Sequence, residues 1–193
     1  MPADLVSDVD IPQLAARISP AMLQALRLLK QHGFIQNGPE VDKTVATILR
    51  RLVSLGLVDP GYAGPTDGEP FIWVSNGNGE RILRHLENSP ENPKLKIKLH
   101  SRAETALTSL PEIEQVKVLA AAEALLGRDP GSWPREEATR LDPDKPVFLL
   151  RVSPELRAFV TLEDGGNLEL FDIVREETLR LFLERYRLGS GVG

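Results

Sequence analysis

Three arginines near the carboxyl end of the chain are the residues best suited to chemistry. They lie in the segment LLRVSPELRAFVTLEDGGNLELFDIVREE (149–177), with Arg151 and Arg157 in two apolar runs and Arg175 just after a third. A guanidinium group offers several donors in one plane, so it can hold a phosphate or stabilise negative charge in a transition state. A phosphate-binding or catalytic set is therefore one interpretation of this segment.

The alternative interpretation is that the arginines form ion pairs on the rim of a small sheet. Asp172 lies in the strand-like run after the one that carries Arg157, and Glu176 and Glu177 follow Arg175 directly. Exposed pairs of this kind contribute about 0–1 kcal/mol and indicate no function. Both interpretations stay open from the sequence.

A meander of three strands is predicted around the arginines, from the runs PVFLLRV, LRAFVTL and LELFDIV. The tight SPE joins the first pair, and EDGG is a strong hairpin signal. Upstream, residues 101–130 have apolar positions at helical spacing and predict two helices, with Ser101 as the cap of the first and Pro111 opening the second. With the strand-like LKIKLH before them and the helical REETLRLFLERY at the end, this half is predicted as α+β, a two-helix hairpin packed on a small antiparallel sheet.

The order of these elements resembles the RelE/ParE toxin superfamily of toxin–antitoxin systems. The likeness rests on the order and spacing of Ser101, Ala106, Leu110–Pro111, Asp129–Pro130, Arg140–Leu141, Arg151–Val152, Arg157 and Arg175.

This resemblance implies one of two activities. RelE-like members cleave mRNA on the ribosome with basic side chains and no metal, which would make Arg151, Arg157 and Arg175 catalytic; ParE-like members poison DNA gyrase. The lysines that the nucleases carry in the first strand of the meander correspond here to Phe148 and Leu150. Such side chains neither donate a proton nor hold a phosphate. A domain that binds a protein partner (antitoxin-like, ribosome or gyrase) without cutting RNA is therefore favoured.

Helices and a two-stranded ribbon are predicted in the first half of the chain. The run SPAMLQALRLLKQHG begins with Ser19 as cap and ends at Gly33, and VDKTVATILRRLVSLG begins with Asp42 as cap and ends at Gly56. LVDP and FIWVS predict two short strands joined by a loop rich in glycine and proline, and GNGERILRHLE predicts a further helix.

This order resembles the MarR-type winged helix-turn-helix domains of bacterial regulators. In those families the helix that corresponds to residues 43–55 lies in the major groove of DNA, and the ribbon contacts the backbone or the minor groove. The resemblance implies a DNA-binding face made by Lys43, Thr44, Thr47, Arg50 and Arg51.

A protein-binding or assembly module is the alternative for this domain. Only FIQNGPEV separates the two helices, which is too short for another full helix, and the predicted tip of the ribbon carries Asp67 and Glu69 but no basic residue. Carboxylates there would repel phosphate. Arg50 and Arg51 would then form only a solvated face.

The domain boundaries predicted are an extension over residues 1–18, a winged helix over 19–91 and a toxin-like domain over 92–193. Proline and asparagine in ENSPENPKLKIK mark the linker. DIPQLAARI in the extension predicts a short helix of a kind that often packs between subunits, so a homodimer is a further expectation.

Composition limits the cofactors, partners and compartment. The chain has no cysteine and three histidines, so neither a metal nor a cofactor is predicted. No apolar run reaches about 18 residues and no signal peptide is evident, which predicts a cytoplasmic protein without a membrane partner. The net charge of −5 lies in residues 101–193, so contact with nucleic acid would depend on local basic patches. We expect a regulatory or interaction protein derived from a toxin–antitoxin module.

Overall fold

Seven α-helices and two separate β-sheets make the chain a mixed α+β protein over the residues described. The structure is a computed structural model that describes residues 11–62, 70–88, 97–163 and 166–189. The chain divides into two compact units, the first made of Met1–Leu95 with Pro111–Ala120 and the second of Lys96–Leu110 with Ala121–Gly193. The predicted boundary near residue 92 lies outside the described residues and stays a prediction.

The helices and strands alternate along both units. The helices are α1 (Ile11–Ala15), α2 (Pro20–His32), α3 (Lys43–Ser54), α4 (Gly77–Asn88), α5 (Ser101–Ser109), α6 (Glu112–Leu125) and α7 (Glu176–Gly189). The strands are β1 (Phe34–Gln36), β2 (Val58–Gly61), β3 (Ile72–Ser75), β4 (Ile97–Leu99), β5 (Ala138–Arg140), β6 (Val147–Arg151), β7 (Leu156–Leu162) and β8 (Leu168–Arg175).

Side-chain caps define where α2 and α3 begin. The Ser19 hydroxyl accepts a hydrogen bond from the backbone N–H of Met22 at 3.3 Å, and the Asp42 carboxylate accepts from Thr44 and Val45. Glycines with positive φ, Gly33 at 81° and Gly56 at 69°, follow the two helices, a conformation that a side chain would strain. Both predicted helices are confirmed.

A small antiparallel sheet in the order β1-β3-β2 completes the first unit. Trp73 on the central strand is 1% exposed and belongs to a core to which α2, α3 and α4 contribute buried leucines. Strands β2 and β3 were predicted, whereas β1 was not. The loop that carries Asp67 and Glu69 lies outside the described residues. Helix α1 packs against α4, with Ala15 buried.

One asparagine and one glycine join α4 to the end of α3. The side-chain oxygen of Asn76 accepts hydrogen bonds from the backbone N–H groups of Asn78 and Gly79, and its amide donates to the Gly56 carbonyl. At Gly79 a Cβ would lie 2.3 Å from the Leu57 carbonyl oxygen, so no other residue fits without a shift of the backbone. This close approach is the physical reason for a glycine in the first turn of α4.

The first half of α6 makes polar contacts with other elements of the first unit. Gln24 donates to the side chain of Gln115 at 2.8 Å. His32 Nε2 lies 2.6 Å from a Glu112 carboxylate oxygen. These contacts, with that between Lys117 and Asp42 described below, place Pro111–Ala120 in the first unit.

The second unit contains a five-stranded sheet in the order β4-β8-β7-β6-β5. The predicted meander is confirmed as β6, β7 and β8, which pair antiparallel, with a bulge between Phe159 and Val160. The prediction of an antiparallel sheet needs one correction, because β4 pairs parallel to β8. The three-residue edge strand β5 was not predicted. One face of the sheet is buried, and α5 packs on β8.

Two polar contacts fix the start of α5 and the edge strand β4. The prediction that Ser101 caps α5 is wrong, because Ser101 is the first residue of the helix. The cap is His100, whose Nδ1 accepts a hydrogen bond from the backbone N–H of Arg102. On β4, Lys98 Nζ lies 2.6 Å from a carboxylate oxygen of Glu163, and this hydrogen bond and opposite charge raise the pKa of Lys98.

The cap and ion pair of Asp42 give a prediction about the first unit. Asp42→Ala should lower its free energy of unfolding by about 1–3 kcal/mol, because the cap is lost and Lys117 loses its partner. Asp42→Asn keeps a good cap and should have a smaller effect. Urea unfolding followed by Trp73 fluorescence in a Trp133→Phe background measures both; equal losses for the two variants would contradict a contribution from the cap, and an unchanged Asp42→Asn variant would contradict one from the ion pair.

Candidate functional site

The outward face of α3 carries all five residues of the predicted DNA-binding face. Lys43, Thr44, Thr47, Arg50 and Arg51 are exposed, while Val45, Ile48, Leu49 and Leu52 on the opposite side are buried. The Thr47 hydroxyl donates to the Lys43 carbonyl at 2.7 Å, so this group is held close to the helix. The face offers cationic and hydroxyl groups, the types that contact phosphates.

The amino-terminal end of this face is electrostatically balanced. Asp42 would repel a phosphate that approaches Lys43 and Thr44, but its second carboxylate oxygen lies 3.1 Å from Lys117 Nζ. The Lys117 side chain is 14% exposed, so its charge is largely committed to Asp42. This contact could not be predicted from the sequence, because Lys117 on α6 and Asp42 before α3 are brought together only by folding.

The three arginines of the second unit lie at one end of the sheet but not on one face. Arg151 and Arg157 are directly opposite each other on β6 and β7, so they share a face. Arg175 is opposite Leu156 on the neighbouring pair of strands. Since successive residues of a strand alternate between faces, Arg175 belongs to the face that Leu156 occupies.

Arg157 is buried and its guanidinium is occupied. The residue is 7% exposed; Nη1 donates to the carbonyls of Ser153 and Leu156, and Nε lies 2.8 Å from a carboxylate oxygen of Glu176. The group therefore ties the turn between β6 and β7 to the first residue of α7. An acidic residue at that helix start is also favourable for the helix dipole.

The ion-pair interpretation of Arg157 thus gains geometric support, with a different partner from the one suggested by strand order. Asp172 lies opposite Phe159 and pairs with Arg102 at 3.0 Å.

Arg151 has the opposite environment. It is exposed, its backbone N–H donates to the Glu137 carbonyl, and its guanidinium makes no ion pair within the part of the chain described. Arg175 is exposed as well. Of the three candidates for catalysis, the one in the middle strand is therefore the least accessible.

The two positions that correspond to nuclease lysines point into the core. Phe148 is 5% exposed and Leu150 is 2% exposed. Phe148 packs against Trp133, with ring centroids 4.6 Å apart, and Trp133 is buried as well. A lysine at either position would carry its charge into an apolar environment, which is unfavourable.

Among the described residues, no group of three His, Asp or Glu side chains is placed to hold a metal ion. His32 pairs with Glu112 and His100 caps α5. No helix in the described ranges has both the length and the apolar character needed to cross a bilayer.

No protein-family model matches the chain, and no curated protein matches it either. The likenesses to RelE/ParE toxins and to winged helices therefore rest on residue pattern and element order.

The contrast between the two facing arginines gives a prediction about the second unit. Arg157→Ala should lower its free energy of unfolding by about 2–4 kcal/mol, because two carbonyls lose their buried donor and the Glu176 carboxylate loses its opposite charge. Arg151→Ala on the same face should change it by less than about 0.5 kcal/mol.

Denaturation followed by Trp133 fluorescence in a Trp73→Phe background measures both changes. A stable Arg157→Ala variant would show that the guanidinium is not a structural group.

Proposed function

We propose that this is a non-catalytic interaction protein derived from a toxin–antitoxin module. Its first unit acts as a winged helix that binds DNA through the outward face of α3. Its second unit, a RelE/ParE-like domain, binds a protein partner and does not cut RNA. The observation that carries the proposal is the contrast between exposed basic side chains on α3 and a buried, paired Arg157.

Element order and surface chemistry support the role of the first unit. A helix, a short strand, the helix α3, two paired strands and a closing helix follow one another, an order that suits a winged helix. Exposed Arg50 and Arg51 supply positive charge, and Lys117 offsets the one carboxylate at the start of α3. Local charge of this kind allows contact with phosphates in a chain whose net charge is −5.

The three candidate arginines do not converge on one place in the described part of the second unit, which supports a non-catalytic role. Cleavage of RNA without a metal needs several cations and proton donors aimed at one phosphate. Here Arg157 is already bound by Glu176, Arg175 belongs to the other face of the sheet, and Phe148 and Leu150 are buried.

The outer face of the second sheet suits a protein partner. Leu149, Phe159 and Phe171 are only half-buried there, and the two phenylalanine rings lie 5.8 Å apart. Partly exposed aromatic side chains are typical of protein interfaces. An antitoxin-like segment would cover such a face.

DNA binding can be tested with charge-matched variants. Replacing both Arg50 and Arg51 by Ala should weaken binding to duplex DNA of mixed sequence by about tenfold or more and reduce the salt slope by about two. Replacing Arg27 and Arg84 by Ala removes the same charge from exposed positions on α2 and α4 and should leave affinity nearly unchanged. Fluorescence anisotropy at several salt concentrations gives both the affinity and the salt slope. Equal losses of affinity in the two double variants would show that binding depends on total charge and not on the outward face of α3.

The lack of nuclease activity can be tested with the whole chain. A fragment of residues 93–193 is unsuitable, because it separates Pro111–Ala120 from the unit to which they belong. We expect normal growth when the chain is induced in a bacterial host, and intact mRNA when the purified protein is added to translating ribosomes.

Other outcomes point to the alternatives. Message cleavage that Arg151→Ala abolishes would establish a ribosome-dependent endoribonuclease. Growth arrest with intact message and inhibited DNA supercoiling would establish a gyrase-directed toxin.

A further inference from the structure

The outward face of α3 is not chemically uniform along the helix. Lys43, Thr44, Thr47, Arg50 and Arg51 are all exposed, but they differ in which of their polar groups are still available to a ligand. Side chains four residues apart lie on the same side of a helix. Thr47 and Arg51 are related in this way and would therefore meet the same ligand together.

Thr47 offers a ligand its methyl group more than its hydroxyl. The hydroxyl donates to the Lys43 carbonyl one turn back, at 2.7 Å, so its hydrogen is already used within the helix. The residue is nevertheless exposed, and the part of the side chain left to contact a base is mainly the methyl. In the major groove of DNA the apolar group of a base pair is the methyl of thymine.

Arg51 has an available guanidinium one turn further along α3. Over the ranges that the structure describes, its side chain makes neither a hydrogen bond nor an ion pair. Arg50, in contrast, takes part in a further contact within the chain. The Ser54 hydroxyl, the next polar group along the helix, is bonded back to the Arg51 carbonyl at 2.8 Å. A guanidinium with unused donors fits O6 and N7 of guanine through two parallel hydrogen bonds.

The distance between these two side chains suits stacked base pairs. An α-helix rises about 1.5 Å per residue, so four residues separate Thr47 from Arg51 by about 6 Å along the axis. Base pairs in a duplex are about 3.4 Å apart. With α3 along the groove, the two side chains therefore reach base pairs that are adjacent or one apart. Buried Ile48 and Leu49 fix this part of the helix to the core.

We propose that α3 distinguishes duplex sequences by contacting a thymine through Thr47 and a guanine through Arg51, on base pairs that are adjacent or one apart. This assignment, which rests on the proposed binding of DNA by α3, adds the class of sequence that is bound. Lys43 and Arg50 then supply contacts to phosphates, which position the helix but carry no sequence information.

Selection from a pool of duplexes with a random central segment tests the preference. The unaltered chain should enrich sequences with a constant thymine and a constant guanine at this spacing. Replacing that thymine by uracil removes only the methyl group and should weaken binding about threefold to fivefold. Replacing that guanine by 7-deazaguanine removes only the N7 acceptor and should weaken binding about tenfold.

A conservative variant assigns the thymine contact to Thr47. Thr47→Ser keeps the hydroxyl but loses the methyl, so it should bind the thymine and uracil duplexes equally well. Thr105→Ser makes the same change on α5, where the Thr105 hydroxyl donates to the Ser101 carbonyl one turn back in the same way. This control variant should keep the full difference between the two duplexes.

A second conservative variant assigns the guanine contact to Arg51. Arg51→Lys keeps the charge but not the paired donors, so it should lose most of the discrimination against 7-deazaguanine while the salt slope stays that of the unaltered chain. Arg84→Lys, at an exposed position on α4, should keep both the discrimination and the slope.

The outcomes also distinguish this assignment from DNA binding as such. If no duplex is bound in a salt-dependent way, the DNA-binding role of the first unit fails together with it. Salt-dependent binding without any enriched sequence would leave that role intact and overturn the recognition of bases by α3. An enriched sequence whose uracil and 7-deazaguanine effects persist in Thr47→Ser and Arg51→Lys would overturn it too, since other residues would then contact those bases.

Discussion

A guanidinium group withdrawn from water organises one end of the second sheet. Arg157 cannot stay buried as an isolated charge, because desolvation would be too unfavourable. The carbonyls of Ser153 and Leu156 and the carboxylate of Glu176 therefore have to remain where they are. The turn between β6 and β7 and the start of α7 follow from that requirement. For the same reason Arg157 is not available to hold a phosphate or to stabilise a transition state, the roles that the sequence suggested for it.

Charge in the two units is used in opposite ways. In the second unit the arginine of the central strand is neutralised inside the fold, and Arg151 on the same face remains in water. In the first unit a lysine is consumed to neutralise Asp42, while the cations on the outward side of α3 stay exposed. A surface that binds a polyanion needs exposed cations, as on α3. A structural ion pair needs a buried and neutralised cation, as at Arg157.

Local signals made much of the fold predictable. Ser19, Asp42 and the glycines after α2 and α3 act within a few residues of their own positions, so their effects can be read directly from the sequence. The alternation of apolar residues gave β6, β7 and β8 for the same reason. The short strands β1 and β5 were not predicted, because three residues carry too little periodicity to be recognised.

Features that depend on distant residues could not be predicted. Nothing near Arg157 in the sequence distinguishes Glu176 from Asp172 as its partner, since Asp172 pairs with Arg102 and the position of Glu176 depends on where α7 begins. The capping role of His100 was hidden by the more common capping residue beside it.

The participation of α6 in the first unit affects how the protein is made. Asp42 meets a lysine that is translated 75 positions later, at residue 117. Ribosomes add roughly 5–20 residues each second, and domains generally fold as the chain emerges. The amino-terminal half must therefore wait several seconds, with part of its surface uncovered, until the helix that completes it has left the exit tunnel. During that interval the nascent chain is open to chaperones, and premature termination between the two positions would yield a product in which Asp42 lacks its partner Lys117.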